Sequence, residues 1–315
     1  MTDRPRVYLA IPMYDSWLHR GVLSGILTAT SKNYIPPDFY HKQPILVRDH
    51  SDSMLGNCFN RLWAEALEYR DRGEITHFAM LHTDIAPVVF WLDILVDECE
   101  RLGADVVSAI SPLKSAHGLT SCGIGDHKDR INPLFRFTLK ELEEGILAKN
   151  HPGIYGGLDI QTPDTFSSAD TGYPKHPLTV NTGCWIADLR KDWCSATEYY
   201  DPPQGSSNYP QQRLKVSFNC ISHIYAPAVE KKEVSFGEPW EPENRPHPNN
   251  RTGEKYYVDH DSEDWRFSWM LWDWKCKVYA TKKVFLDHVG EMRYPNRGKW
   301  GTLDHDEPLA YKEKR

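Results

Sequence analysis

Four short groupings of acidic, imidazole and basic side chains carry the residue types that do chemistry. His82-Thr83-Asp84 follows the apolar run Phe78 to Leu81. A carboxylate at a strand end, facing a cleft, can hold a hard divalent cation such as Mg²⁺ or Mn²⁺. Asp84 also precedes Pro87 and a helical pattern, so a helix N-cap is the competing reading. Asp287-His288-Val289-Gly290 closes a second apolar run. Imidazole suits Mn²⁺ or another transition metal, and Gly290 lets the backbone approach a ligand. Ser262-Glu263-Asp264-Trp265 opens a helical pattern, with Ser262 as a cap and the two carboxylates favoured by the helix dipole. The same position holds a general base at the rim of a cleft. Arg293, Arg297 and Lys299, beside Trp300, can neutralise a diphosphate leaving group or form a solvated charged tail.

The elements that must position these groups follow from hydrophobic periodicity. Residues 6–12, 44–48, 75–81 and 104–110 read as strands. Residues 18–30, 53–70 and 88–102 read as helices, the second with Ser53 as its N-cap. Strand and helix thus alternate over the first 110 residues, which predicts a three-layer α/β fold on a mostly parallel sheet. Ligands of such sheets lie at the carboxyl ends of the strands. That rule puts Pro12 to Asp15, Asp49 and His82 to Asp84 on one rim. Further on, 178–189 reads as strand, turn, strand, 263–275 as a helix, and 277–281 and 283–288 as two short strands. Residues 201–260 show no periodicity and are expected to form an acceptor-facing loop. Residues 291–315 are polar and are expected to form an arm over the site.

Composition narrows the class. The 315 residues carry 26% charged and 40% hydrophobic side chains, which suits a globular chain with a real core. No apolar stretch approaches the roughly 20 residues of a membrane span, and the start shows no signal-peptide pattern. Seven scattered cysteines without C-x-x-C spacing argue against a zinc site and for a reducing cytoplasm. A net charge of −7 speaks against non-specific nucleic-acid binding while leaving room for a local basic groove. The 11 Trp and 16 Tyr can stack on sugars or bases, although filling the core is the commoner use.

In order, the chain shows VYLAIP, a strand-end Asp49, a helix carrying Asn57 and Arg61, ITHFAMLHTDIAP, VNTGCWIADL, SEDWRFS and VYATKKVFLDHVG. This series resembles the GT-A fold of nucleotide-sugar glycosyltransferases over roughly residues 6–300. The resemblance implies a single catalytic domain over 1–300, with a nucleotide-binding half (1–115), an acceptor-binding half (116–290) and a C-terminal arm (291–315). In that family a D-x-D motif ends a core strand and its last carboxylate binds the metal. Here Asp84 matches the metal position and His82 replaces the first Asp, which would make His82 a further metal or ribose contact. His288 with Gly290 matches a C-terminal His-x-Gly metal ligand. The resemblance further implies Asp264 as catalytic base with Glu263 as its neighbour. Asn181, Gly183 and Trp265 would meet the acceptor. Pro12, Tyr14, Asp49, Asn57, Arg61, His82, Arg297 and Lys299 would meet the donor.

The expected chemistry is transfer of a sugar from a nucleotide-diphosphate sugar to an acceptor hydroxyl, assisted by Mn²⁺ or Mg²⁺. A placed carboxylate base suits direct displacement and inversion. Rival readings stay open. The acceptor can be a glycan, another hydroxyl compound or a hydroxymethylated pyrimidine of phage DNA, whose flipped base would suit the aromatic loops. The chain can be a metal-dependent hydrolase, which needs more ligands than the sequence offers. It can also be a non-catalytic carbohydrate binder on the same fold.

Overall fold

The computed structural model describes residues 5–13, 18–30, 44–114, 118–126, 129–144, 146–147, 160–161, 163–171, 173–199, 212–218, 221–225, 257–261, 263–290 and 293–296. The first strand, β1 (Val7–Met13), is buried on both faces from Val7 to Pro12, as an unbroken apolar run requires. It pairs in parallel with β2 (Ile45–Ser51) on one side and with β3 (His77–Leu81) on the other. Beyond β3 the sheet continues through β10 (Cys184–Asp188), β5 (Val106–Ala109), β11 (Val278–Thr281) and β8 (Thr165–Phe166). Of these seven strands, β10 and β8 run opposite to the other five, so the sheet is mixed but mostly parallel.

Alternation along the central strands feeds two cores. Val7, Leu9, Ile11, Ala79 and Leu81 face α1 (Arg20–Thr30) and α3 (Trp91–Leu102). Tyr8, Ala10, Phe78 and Met80 face α2 (Leu55–Asp71) and α5 (Glu263–Asp273). Helix, sheet and helix therefore form three layers. Most described tryptophans are spent on packing: Trp63 and Trp185 stack with centroids 6.1 Å apart, and Trp63 meets Phe78 edge-on at 4.9 Å. Helix α4 (Leu139–Glu144) and two smaller sheets complete the scaffold. One orders β9 (Leu178–Thr179), β6 (Leu119–Asp126) and β7 (Asp129–Thr138); the other orders β13 (Arg293–Pro295), β12 (Leu286–Val289) and β4 (Ile85–Pro87).

Several expectations change. Ser53 does not cap α2: the helix begins one residue later, with Met54 as the N-cap, whose N–H donates to the Asp52 carboxylate at 3.0 Å. Asp84 is no helix cap either, since β4 intervenes and α3 is entered through Phe90 in the left-handed region. The described parts of 201–260 are not irregular throughout. Gln212–Leu214 pairs with Thr197–Tyr199, and Ile221–Tyr225 pairs with Tyr257–Asp261. The arm expected from residue 291 begins as strand β13 in the sheet of β12, and residues 297–315 lie outside the described residues. Among the described residues six cysteines are free thiols, and no helix is long and apolar enough to cross a membrane.

Candidate functional site

The carboxyl ends of β1, β2 and β3 share one rim because the three strands are parallel and in register. Where β3 leaves the sheet, the His82 N–H donates to the Gly183 carbonyl at 2.8 Å, and the Ile85 N–H closes a turn on the His82 carbonyl at 3.2 Å. Asp84 sits in this turn. Strand β4 then pairs with β12 so that His288 lies opposite Ile85, and the Val289 N–H donates to the Asp84 carbonyl at 2.7 Å. Asn296 fixes this ladder to the main sheet: its side chain donates to the Ile110 carbonyl at 2.7 Å and accepts from the Leu286 N–H at 3.0 Å.

The ladder sets His288 Nε2 3.3 Å from Asp84 Oδ2 across 204 residues of sequence. His288 Nδ1 stands 2.8 Å from the Pro112 carbonyl. A carbonyl only accepts, so Nδ1 carries a proton. Nε2 then meets the carboxylate oxygen either as a second N–H donor or as a lone pair that shares a cation with it. A cation or a proton between them satisfies both. A backbone carbonyl that fixes the tautomer is also the usual support of a metal-ligating histidine. Lys114 Nζ donates to the same Asp84 Oδ2 at 2.6 Å and supplies positive charge there. Burial alone would raise the Asp84 pKa. The His288 hydrogen bond, the nearby His82 and Lys114 overcome it and hold the carboxyl well below its ordinary range.

His82 packs its ring on Phe59, centroids 5.0 Å apart, and its Nε2 is buried without a hydrogen-bond partner. Burial lowers its pKa against the opposing pull of Asp84 and Asp264, so the ring is neutral. It does not complete a ligand set: among the described residues no three His, Cys, Asp or Glu side chains converge to hold a metal. The metal-ligating expectation thus narrows to Asp84 and His288, with His82 behind them against Phe59 because its ring is drawn into the apolar layer under β3.

Asp264, in the first turn of α5, grips the turn between β9 and β10. Its Oδ1 accepts the Thr182 N–H at 2.7 Å and the Thr182 hydroxyl, and its Oδ2 accepts from Asn181 Nδ2 at 3.2 Å. Asn181 Oδ1 in turn accepts the Gly183 N–H at 2.6 Å. A Cβ on Gly183 would lie 2.5 Å from that oxygen and 3.1 Å from Ile85, so only glycine fits. Asn181, Gly183, His82 and Asp264 are therefore neighbours, joined through this turn. Trp265 departs from expectation. It is buried, with the Arg136 guanidinium 4.6 Å from its ring centroid, so its face is not open to an acceptor.

On the donor side, Pro12 is buried in β1 beside His50 and gives shape rather than a polar contact. Asp49 is exposed near the end of β2. Asn57 and Arg61 are exposed one turn apart on α2, where both act on Asp52. The Met54 N–H, with Ser53, Asn57 and Arg61, holds the Asp52 carboxyl below its ordinary range. Tyr14, Arg297 and Lys299 lie outside the described residues, as does the side chain of Glu263. Lys114 and Arg136 escaped the sequence reading. Lys114 carried one available signal, its place just past the carboxyl end of β5; Arg136 carried none.

No known family model matches the chain, and no curated protein matches it. Among solved structures it is similar to the crystal structure of A197 from STIV, at 12% identity, with 90% of this chain and 86% of that chain covered and a TM-score of 0.40.

Proposed function

We propose that this chain is a metal-dependent glycosyltransferase of the GT-A type, which moves a sugar from a nucleotide-diphosphate donor to an acceptor hydroxyl. The observation that carries the reading is the meeting of Asp84 Oδ2 and His288 Nε2 at 3.3 Å on the carboxyl rim of the sheet, with the His288 tautomer fixed by Pro112. One carboxylate oxygen and one imidazole nitrogen suit Mn²⁺ or Mg²⁺ when a diphosphate and water supply the remaining positions. When bound, such an ion offsets the charge that develops on the leaving diphosphate.

The protein's own side chains do the rest. Lys114 balances Asp84 in the chain alone and is placed to turn to a phosphate oxygen once the donor arrives. The neutral His82 offers its unpartnered Nε2 to a donor hydroxyl. Asp264 takes the proton from the acceptor hydroxyl as that oxygen attacks the anomeric carbon. Its Oδ1 accepts from Thr182 and its Oδ2 from the Asn181 amide, which orient the carboxylate for this role. Direct displacement inverts the anomeric centre, and NMR of the product's anomeric proton reads this. Free, buried thiols suit a reducing compartment such as the cytoplasm.

The testing experiment is calorimetry of the full chain with nucleoside diphosphates and nucleotide sugars, with and without Mn²⁺. The expected result is binding that requires the ion. Absence of binding with every nucleotide would sink the reading.

A further inference from the structure

Arg136 belongs to β7, opposite Gly123 of β6, and it is half-buried. Its contacts are few. One Nη1–H donates weakly to the Thr120 carbonyl at 3.4 Å, and the group lies over the Trp265 ring. Among the described residues no carboxylate stands within ion-pair distance of it. That is a costly arrangement. A buried cation is ordinarily paired, and an apolar side chain of similar length would fill the same space without the desolvation. The guanidinium cannot shed its proton to escape. Most of its fork of N–H donors is left for a group that arrives from outside.

The surroundings say where that group belongs. Among the described carboxylates, Asp264 is the one that acts on Arg136. Arg136 therefore serves the Asp264 side of the cleft, not the cation and diphosphate held at Asp84. Trp265 holds the guanidinium by its face, and Trp265 is the residue next to Asp264 in α5. A guanidinium beside that ring, with few bonds of its own, keeps a planar donor fork that can take a phosphate or carboxylate through two hydrogen bonds.

We propose that Arg136 anchors an anionic group, a phosphate or a carboxylate, on the molecule whose hydroxyl is glycosylated. The inference deepens the reading above and rests on it for the word acceptor. The acceptor is then an acidic compound, oriented by its anion on Arg136 and its hydroxyl toward Asp264.

The test uses the full chain, with the donor site first filled by a nucleoside diphosphate and Mn²⁺. Inorganic phosphate and acetate are then titrated by calorimetry and by thermal shift into the wild type, Arg136→Met and Arg136→Lys. One of the two anions should bind the wild type, at least about tenfold more weakly in Arg136→Met, with an intermediate loss in Arg136→Lys. A phosphate response names a phosphorylated acceptor, and an acetate response a carboxylated one. Without ligand, Arg136→Met should melt no lower than the wild type, because an unpaired half-buried charge is gone. Equal anion binding in the wild type and Arg136→Met overturns the proposal, as does a wild type that binds neither anion. Should Arg136→Met fail to fold, the proposal is also overturned, because the charge would then be structural. If anions bind through Arg136 but no nucleotide binds, the anion site stands and the glycosyltransferase reading falls.

Discussion

Strand β3 has a histidine at each end, and the two are used in opposite ways. His77 opens the strand at the amino rim. Its Nδ1 meets the Thr76 hydroxyl at 2.9 Å, and its Nε2 lies 3.3 Å from Glu100, off the line of a good hydrogen bond. Around it the charges close on one another: Arg190 donates to Asp188 at 2.7 Å and to Glu100 at 2.7 Å. His82 follows the strand at the carboxyl rim, where its Nε2 too is left without a partner and Asp84 faces His288 at 3.3 Å. Paired charges at one rim fasten β10 and α3 to the sheet. At the other rim Asp84 is shared between Lys114 at 2.6 Å and His288 at 3.3 Å, the group proposed above to take a ligand. The difference teaches that the surrounding charges, not the residue type, separate the two rims: both rings keep an Nε2 without a hydrogen bond, one amid the Arg190–Asp188–Glu100 network and the other beside Asp84, His288 and Lys114.

The comparison can be broken first at Asp84. Asp84→Ala should abolish Mn²⁺-dependent nucleotide binding while leaving the fold intact, because the amino-rim network is untouched. Calorimetry showing unchanged affinity would remove Asp84 as a ligand. Asp264→Asn comes next. The amide oxygen can still accept from Thr182, so donor affinity should persist, whereas loss of the base should cut turnover by about 10²–10⁴-fold. Normal turnover with intact donor binding would take Asp264 out of the chemistry.

The amino rim should answer to pH instead. Burial, aided by Arg190 against Asp188 and Glu100, lowers the His77 pKa from 6.5 to about 4. A histidine whose folded pKa is depressed contributes stability above its unfolded pKa and loses it as pH falls toward the folded one. The window is therefore pH 6.5 down to about 4, and the loss is on the order of 3 kcal/mol. Denaturant midpoints across that window should fall more steeply for the wild type than for His77→Gln, and identical slopes would contradict the assignment. The smallest effect is expected at Lys114. It is half exposed and its bond to Asp84 is screened by solvent, so Lys114→Ala should weaken Mn²⁺–nucleotide binding by about tenfold or less. A stronger loss than that of Asp84→Ala would reverse the roles given to the two residues.

Much of the scaffold was legible in the chain. The alternating apolar runs of VYLAIP, ITHFAML and ADVVSAI and the helical spacing around Leu62 and Trp63 place β1, β3, β5 and α2 within a few residues of where they stand. His82, Asp84, Asn181, Asp264 and His288 were legible as strand-end and helix-start polar groups. Less legible was what each does. Trp265 reads as a sugar platform by type and spacing, yet a cation covers its face. Ser53 reads as a cap, yet Asp52 takes the bond.

By itself, the order of residues determined the layers, because period-two and period-3.6 burial follow from local geometry and need no distant partner. It also fixed the chemical types held at the ends of the strands. Only the tertiary structure decided which of them meet. The pairing of β4 with β12 brings Asp84 to His288, the end of β5 delivers Lys114 to the same oxygen, and β7 lays Arg136 on Trp265. Such contacts join residues 30 and 204 positions apart, and they depend on strand register and chain reversal rather than on local spacing.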